Sequence, residues 1–320
     1  MTAPIVSICI PTYNQERFIA EALRSVCAQT YPHFEVLVRD DASSDATAAI
    51  ASQFAANDKR IRVEVNSTNL GMVANWNHCL ASAQGTYIKF LFGDDFFAMP
   101  DALERMVAAM ETSPDIVLVA SGRSIVTDQS QCTEVLSSFP DGFTADGKEL
   151  IRRCLRKIVR THNLIGEPSV VMFKRRDAVR GFDPRYRQLV DIEMWFHLLE
   201  QGRFVYLAQP LCSFRHHDGQ QTKKNAVELN FVDDLKLLFD TYLARPYAGV
   251  PRFDQSYMLC YFFYKLLKHA DQGLFSKELV LKKIDSLYGW RRFRALSPLF
   301  RLYTPLWKLK RAVAAWLGRE

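Results

Sequence analysis

Apolar and polar positions alternate along the first 120 residues in two rhythms. Ile5–Ile10, Phe34–Val38, Ile61–Val65, Tyr87–Phe92 and Ile116–Ala120 are short, apolar and rich in β-branched side chains, and each reads as a strand. Four of them are almost unbroken apolar runs, as strands covered on both faces are, whereas Ile61–Val65 alternates with charge and is expected to be the most exposed. Between them, Gln15–Gln29, Asp45–Asn57, Met72–Gln84 and Asp101–Thr112 carry helical spacing. Asp45 can cap the second helix, Gly85 follows the third and Pro100 precedes the fourth. This alternation predicts an α/β fold, a mainly parallel sheet flanked by helices.

Ligands of such sheets bind beyond the carboxyl ends of the strands. Here those ends are polar. The first strand runs into Pro11-Thr12-Tyr13-Asn14, the second into Asp40-Asp41-Ala42-Ser43-Ser44-Asp45, the third into Asn66-Ser67-Thr68-Asn69-Leu70-Gly71 and the fourth into Gly93-Asp94-Asp95. After Gly122 the pattern loosens. Arg123–Thr144 is polar and turn-rich, Asp146–Arg160 a basic amphipathic helix, Gly166–Phe173 a return to the sheet, Ala178–Tyr186 a loop, Asp191–Gln201 a helix and Phe204–Leu207 a strand. Asn225–Arg245 and Asp254–Gln272 read as helices. The division expected is 1–222 as one α/β domain (halves 1–122 and 123–222), followed by a helical region at 223–320.

Charge changes this picture at one end only. Of the net +6, the segment from Lys282 onward holds ten Lys or Arg against two acids, which leaves residues 1–281 at −2. A body of that sign does not suit a nucleic-acid backbone. The seven cysteines form no CxxC and several fall in apolar stretches such as Ile8-Cys9-Ile10, the usage of reduced thiols in a cytoplasmic protein. Pro11 interrupts the first apolar run, so no secretory leader is expected, and no uncharged run reaches the roughly 18 residues of a membrane span.

Two neighbouring carboxylates at a strand end repel each other unless a cation or a donor offsets them. Asp94-Asp95 therefore suits Mg²⁺ or Mn²⁺ shared with substrate phosphates, or, more plainly, a helix cap. Asp40-Asp41 can accept from a ribose or base, while Ser44 and Asp45 serve the next helix. Neither G-x-G-x-x-G nor G-x-x-x-x-G-K-[ST] is present, so a phosphate is better held through a metal than by a glycine loop.

Several stretches together resemble the family 2 glycosyltransferases of the GT-A fold. They are Val6–Asn14, Ser25–Pro32, Phe34–Asp45, Asn69-Leu70-Gly71, Gly85–Leu91 and Asp94-Asp95, in matching order and spacing over about residues 4–120. The resemblance implies a Rossmann-like sheet, a nucleotide-diphospho-sugar donor, a divalent metal and transfer with inversion. It places Asp41 at the base, and Pro11, Thr12, Tyr13, Asn14, Asn69 and Gly71 around the nucleotide. By the same likeness Asp95 is the metal ligand and Asp94 the ribose-side partner. Phe92 stands where many members have Asp.

In the second half, Gly166–Phe173, Gly181-Phe182-Asp183 and Val190–Trp195 resemble the segments around the family's catalytic base. Asp191 occupies the base position, with Glu193 as the alternative, and one carboxylate suffices to take a hydroxyl proton. Phe214-Arg215-His216-His217 resembles an aromatic-Arg-x-His segment. It implies His217 as a metal or diphosphate contact and Arg215 as a counter-charge to phosphate.

Residues 287–317 interleave Trp290, Phe293, Trp307 and Trp316 with basic side chains, a composition that suits either an anionic membrane surface or a helix packed on the body. An acceptor that is a glycan or lipid-linked oligosaccharide of the cell envelope follows by analogy, with the protein at the inner face of the cytoplasmic membrane. Two rival functions are a sugar-nucleotide nucleotidyltransferase and a silent carbohydrate-binding protein. The first needs a glycine-rich basic loop where Pro11–Glu16 stands; the second is disfavoured by Asp41, Asp94, Asp95 and Asp191 occurring together.

Overall fold

The structure is a computed structural model, and it describes residues 5–157, 163–217, 219–220, 228–249 and 252–298. The chain divides into two compact units, Met1–Lys223 and Lys224–Glu320.

Among the described residues of the first unit, ten strands join in one sheet. In chain order they are β1 (Val6–Thr12), β2 (Phe34–Asp40), β3 (Ile61–Val65), β4 (Tyr87–Phe90), β5 (Phe96–Phe97), β6 (Ile116–Val126), β7 (Cys132–Leu136), β8 (Phe143–Asp146), β9 (Val171–Lys174) and β10 (Arg203–Arg215). The helices are α1 (Ile19–Cys27), α2 (Thr47–Asn57), α3 (Met72–Ser82), α4 (Ala102–Glu111), α5 (Gly147–Lys157) and α6 (Val190–Leu199). The sheet order is β3-β2-β1-β4-β9-β6-β10-β5, with β7 on β6 and β8 on β10.

The pattern of pairing determines where a site can form. β1 to β4 are mutually parallel, β6 and β10 are parallel to each other, and β9 runs antiparallel between β4 and β6. Strands β4 and β6 therefore point the same way, and the carboxyl ends of β1, β2, β4, β6 and β10 share one edge. All seven residues of β1 are buried, as a central strand covered on both faces requires. Helix α1 buries Ile19, Ala22, Leu23 and Val26, the i, i+3, i+4, i+7 stripe that lays it on the sheet. Beneath β4 and β9, Phe90 meets Phe173 and Phe182, and Trp76 reaches Phe90, Phe92 and Phe182.

Three sequence expectations are corrected. Arg123–Thr144 is not a structureless stretch: β6 continues to Val126, and β7 and β8 follow. β7 is exposed along nearly its whole length, so burial impresses no apolar period on it. The strand expected at Phe204–Leu207 extends to Arg215, past Pro210, because irregularities in the pairing on either side of Pro210 absorb its missing N–H. Asp45 reaches the start of α2 by accepting from Thr47 N at 3.0 Å, although Ala46 holds the cap position itself.

The second unit contains α7 (Asn230–Tyr242), α8 (Arg252–Asp271) and α9 (Lys277–Leu287), and residues 290–298 are also helical. Helix α9 was not anticipated from the sequence. It starts at Ser276, whose hydroxyl accepts from Leu279 N, and buries Val280 and Ile284 one turn apart. Among the described residues no helix is long and apolar enough to cross a membrane. Residues 158–160 of the expected α5 and 299–320 of the basic tail lie outside the described residues.

Candidate donor and catalytic site

The loops leaving β1 and β2 are laced together. Asn14, at positive φ, donates its N–H to Ser43 Oγ at 2.8 Å, and its side-chain oxygen accepts from Ser44 N at 2.9 Å. Asp40 turns back to hold Ser43 through both its N–H and its hydroxyl. Asp41 points elsewhere. Its carboxylate accepts from Asn66 Nδ2 and Leu70 N at 2.8 Å and from Gly71 N at 2.9 Å, and its carbonyl accepts from Asn69 Nδ2. Gly71 sits at φ +85°, a conformation that favours glycine, and this lets the β3–α3 loop wrap the carboxylate. The sequence expected Asp41, Asn69 and Gly71 near one another, and the structure brings them together. Three of the roughly four acceptor positions of Asp41 are used, which leaves one.

Thr12 ends β1 with its hydroxyl buried and without a hydrogen-bond partner. It faces the turn at Gly93, where an added Cβ would lie 2.9 Å from Thr12 Oγ1, so glycine lets the β4 loop close over β1. Tyr13 is exposed beside it.

The two aspartates after β4 differ sharply. Asp95 is 1% exposed. Its Oδ1 accepts from Arg215 N at 3.0 Å, and its Oδ2 is buried with no hydrogen-bond partner. Burial, then the adjacent Asp94, push its carboxyl well above the usual carboxylate range. The side chain of Asp94 is 14% exposed and lies 2.9 Å from His217 Nε2. Gly219 N donates to His217 Nδ1 at 3.2 Å, which assigns the proton of a neutral ring to Nε2. Of the pair, Asp94 is the more accessible carboxylate, beside His217, and Asp95 is the buried one, accepting from β10.

Arg215 lies behind this pair. Its side chain is wholly buried. The guanidinium donates to the carbonyls of Asp94, Thr127 and Asp128, to Ser130 Oγ and to Glu21 Oε2, and lies over the rings of Phe18 and Phe96. The guanidinium is thus turned to the protein's own acceptors. It ties α1, the β4 loop and the β6–β7 turn to the end of β10. Phe92 packs on Trp76 with ring centroids 4.9 Å apart, an apolar contact two residues before the aspartate pair.

Asp191 is the second residue of α6, with Leu189 in the cap position. Its Oδ1 accepts from Ile192 N at 2.8 Å and its Oδ2 from Asn163 Nδ2 at 3.1 Å. Desolvation outweighs these two bonds and raises the carboxyl to about 7, with Glu167 adding to the rise. Glu193, the alternative base, is 3% exposed and bound at both oxygens by Arg180, which removes it from that role. Asn163 also holds the loop 163–166 through Gly166 O, Ile165 N and Gly166 N. Two residues further on, Ser169 Oγ accepts from Phe92 N, and Ser169 O accepts from the buried Lys89. These contacts connect the Asp191 corner to the β4 edge. No sequence pattern singled out Asn163, Ser169 or Lys89, because each acts through partners 28 to 80 residues away.

The model of glycosyl transferase family 2 matches residues 7–177, more than half of the chain. The chain is a family 2 glycosyltransferase. This transferase is 32% identical over 228 residues to the putative glycosyltransferase EpsE of Bacillus subtilis, covering 70% of this chain and 77% of that one. It is 29% identical over 205 residues to the putative teichuronic acid biosynthesis glycosyltransferase TuaG of the same organism, covering 63% and 75%. Among solved structures, TarS residues 1–349 of S. aureus in complex with UDP-GlcNAc superimposes with a TM-score of 0.61 at 20% identity, over 82% of this chain and 72% of that one. The mannosyltransferase PcManGT of Pyrobaculum calidifontis, in complex with GDP-Man and Mn²⁺, superimposes with a TM-score of 0.56 at 16% identity, over 100% and 89%. At those identities the structures establish a shared GT-A fold.

The residues of this glycosyltransferase fit a hard divalent cation. Asp94 offers a reachable carboxylate, His217 Nε2 lies 2.9 Å from it and could ligate only by giving up the proton it donates there, and the buried Asp95 Oδ2 has only the Ser169 hydroxyl beside it. Among the described residues no group of three acidic, His or Cys side chains converges. A Mg²⁺ or Mn²⁺ ion here would need substrate phosphates and water to complete its shell.

Proposed function

We propose that this glycosyltransferase is inverting and metal-dependent. It moves a sugar from a nucleotide-diphospho-sugar to a hydroxyl of a glycan or lipid-linked acceptor in cell-surface polysaccharide synthesis. The observation that carries the reading is Asp191, a half-buried carboxylate held by one backbone N–H and one amide, whose proton affinity is raised to about 7. A general base works best with a pKa near the operating pH. Asp191 takes the proton of the acceptor hydroxyl as the new C–O bond forms at the anomeric carbon. The bond from that carbon to the phosphate oxygen breaks on the opposite face, and the nucleoside diphosphate leaves.

The donor half binds and orients. Asp41 keeps one acceptor position for a base N–H, Tyr13 flanks the base, and Asp94 would hold the cation, joined by His217 Nε2 once that nitrogen gives up the proton it donates to Asp94. A bound cation supplies neutralisation of the diphosphate leaving group. Two findings support this assignment: the teichuronic acid relative for the acceptor class, and the nucleotide-sugar and Mn²⁺ named for the structural neighbours. The experiment is a screen of UDP-, GDP- and dTDP-sugars for binding and hydrolysis with Mn²⁺, Mg²⁺ or EDTA, with Asp94→Ala as control. Binding of no donor, or binding indifferent to EDTA and to the substitution, rejects the reading.

The C-terminal segment is proposed to rest on an anionic membrane at the cytoplasmic face. Within the described residues, Arg291, Arg292 and Arg294 are exposed while Phe293 is buried. Removing residues 287–320 should release the protein from anionic vesicles, and unchanged co-sedimentation rejects the contact.

A further inference from the structure

Glu167 is a carboxylate that the transfer step above does not use. It stands immediately before the turn Pro168–Val170, and its Oε2 lies 3.0 Å from Arg123 Nε. Arg123 is nearly buried, whereas the Glu167 side chain is 25% exposed. Because Oε2 itself is buried, that exposure falls on the remainder of the side chain. Among the described residues Arg123 is its sole ionic partner, at a distance that makes an ion pair without hydrogen-bond alignment, and Oε1 accepts no protein hydrogen bond. Oε1 is accessible, so a substrate hydroxyl can take the place of water there at little cost.

Its position is specific. Gly166, the preceding residue, shares Asn163 with Asp191, and Ser169, two residues later, holds Phe92 two residues before Asp94. The negative charge of Glu167 also raises the proton affinity of both Asp95 and Asp191, so it lies within electrostatic reach of each.

We propose that Glu167 is a positioning residue for the acceptor: fixed from behind by Arg123, its carboxylate accepts hydrogen bonds from hydroxyls of a sugar or polyol and holds the reacting hydroxyl against Asp191. This rests on the reading of Asp191 as general base. A carboxylate suits the task because its accessible oxygen, Oε1, has two lone pairs and can receive two neighbouring hydroxyls. Water, with no second hydroxyl, gains much less from Glu167 than a polyol does.

The test uses the full chain, the donor found by the screen, and glycerol as a simple polyol acceptor. The readout is the partition of donor between hydrolysis and glyceryl glycoside. Glu167→Gln should lower the glycerol-to-water partition by about 10-fold, the loss of one charged hydrogen bond, while donor affinity measured by calorimetry stays within about 2-fold. Glu167→Asp should recover part of the partition, which a merely structural role would not produce. An unchanged partition in folded Glu167→Gln overturns the assignment. If that variant does not fold, a wild-type partition in Glu167→Asp overturns it. Hydrolysis at the wild-type rate by Asp191→Asn would instead overturn the general-base reading beneath it.

Discussion

The β4–β10 edge and the Asp191 corner are built on opposite plans. At the edge, Arg215 alone spends its guanidinium on five acceptors and stacks on two rings, and Asp95 is locked behind it. At the corner, Asp191 has two hydrogen bonds and a proton affinity lifted to about 7. A donor carrying a diphosphate needs a fixed electrostatic cradle, because reorganising charge during the reaction costs rate. A base needs the reverse, a carboxylate weakly enough stabilised to take up a proton.

The sharpest way to break this contrast is Asp191→Asn. Transfer should fall by about 10²–10⁴-fold while donor affinity is retained, a split read by steady-state rates beside calorimetry. Near-normal turnover would leave the corner without its function. Next comes the aspartate pair. Asp94→Asn should remove the metal dependence of donor binding, measured with and without EDTA. Asp95→Asn, which keeps an acceptor for Arg215 N and removes a desolvated charge, should leave that metal dependence in place and hold or raise the unfolding midpoint at neutral pH. The opposite result would restore Asp95 as the ligand.

Arg215→Met tests the rigidity of the edge. Leaving Glu21 and several carbonyls without their buried partner should cost about 3–5 kcal/mol, seen in denaturant midpoints. A variant of normal stability with weakened diphosphate binding would return Arg215 to the phosphate. The smallest effect is a pH dependence of stability. The folded pKa of Asp191 is raised above the unfolded value near 4, so the folded protein holds the extra proton between them. The contribution of Asp191 is therefore intact below about pH 4 and is lost as pH rises through about 7. Asp191→Asn should be more stable than the parent by about 1–3 kcal/mol at pH 8, with the gap closing towards pH 4. An equal gap at both pH values would show that the carboxyl is not desolvated.

The alternation of strands and helices over residues 5–120 was legible without coordinates, because periodicities of 2 and 3.6 are local and burial imposes them residue by residue. Families of chemistry were legible too: carboxylates clustered at strand ends mark the edge where such sheets bind ligands. Non-local pairing was not. The insertion of β9 antiparallel between β4 and β6 depends on which strands meet, which no window of sequence contains. The sequence could name Asp94, Asp95, Arg215 and His217 together, but adjacency in the chain does not say which carboxylate faces outward. Only packing decides that Arg215 N–H claims Asp95 while Asp94 turns to His217. Likewise, Glu193 and Asp191 are equivalent acids on paper, and Arg180 separates them by neutralising one. Residue types and their order set which chemistry the chain can perform. The tertiary structure settles which atom is desolvated, paired or free, because those are properties of neighbours brought from 28 to 120 residues away.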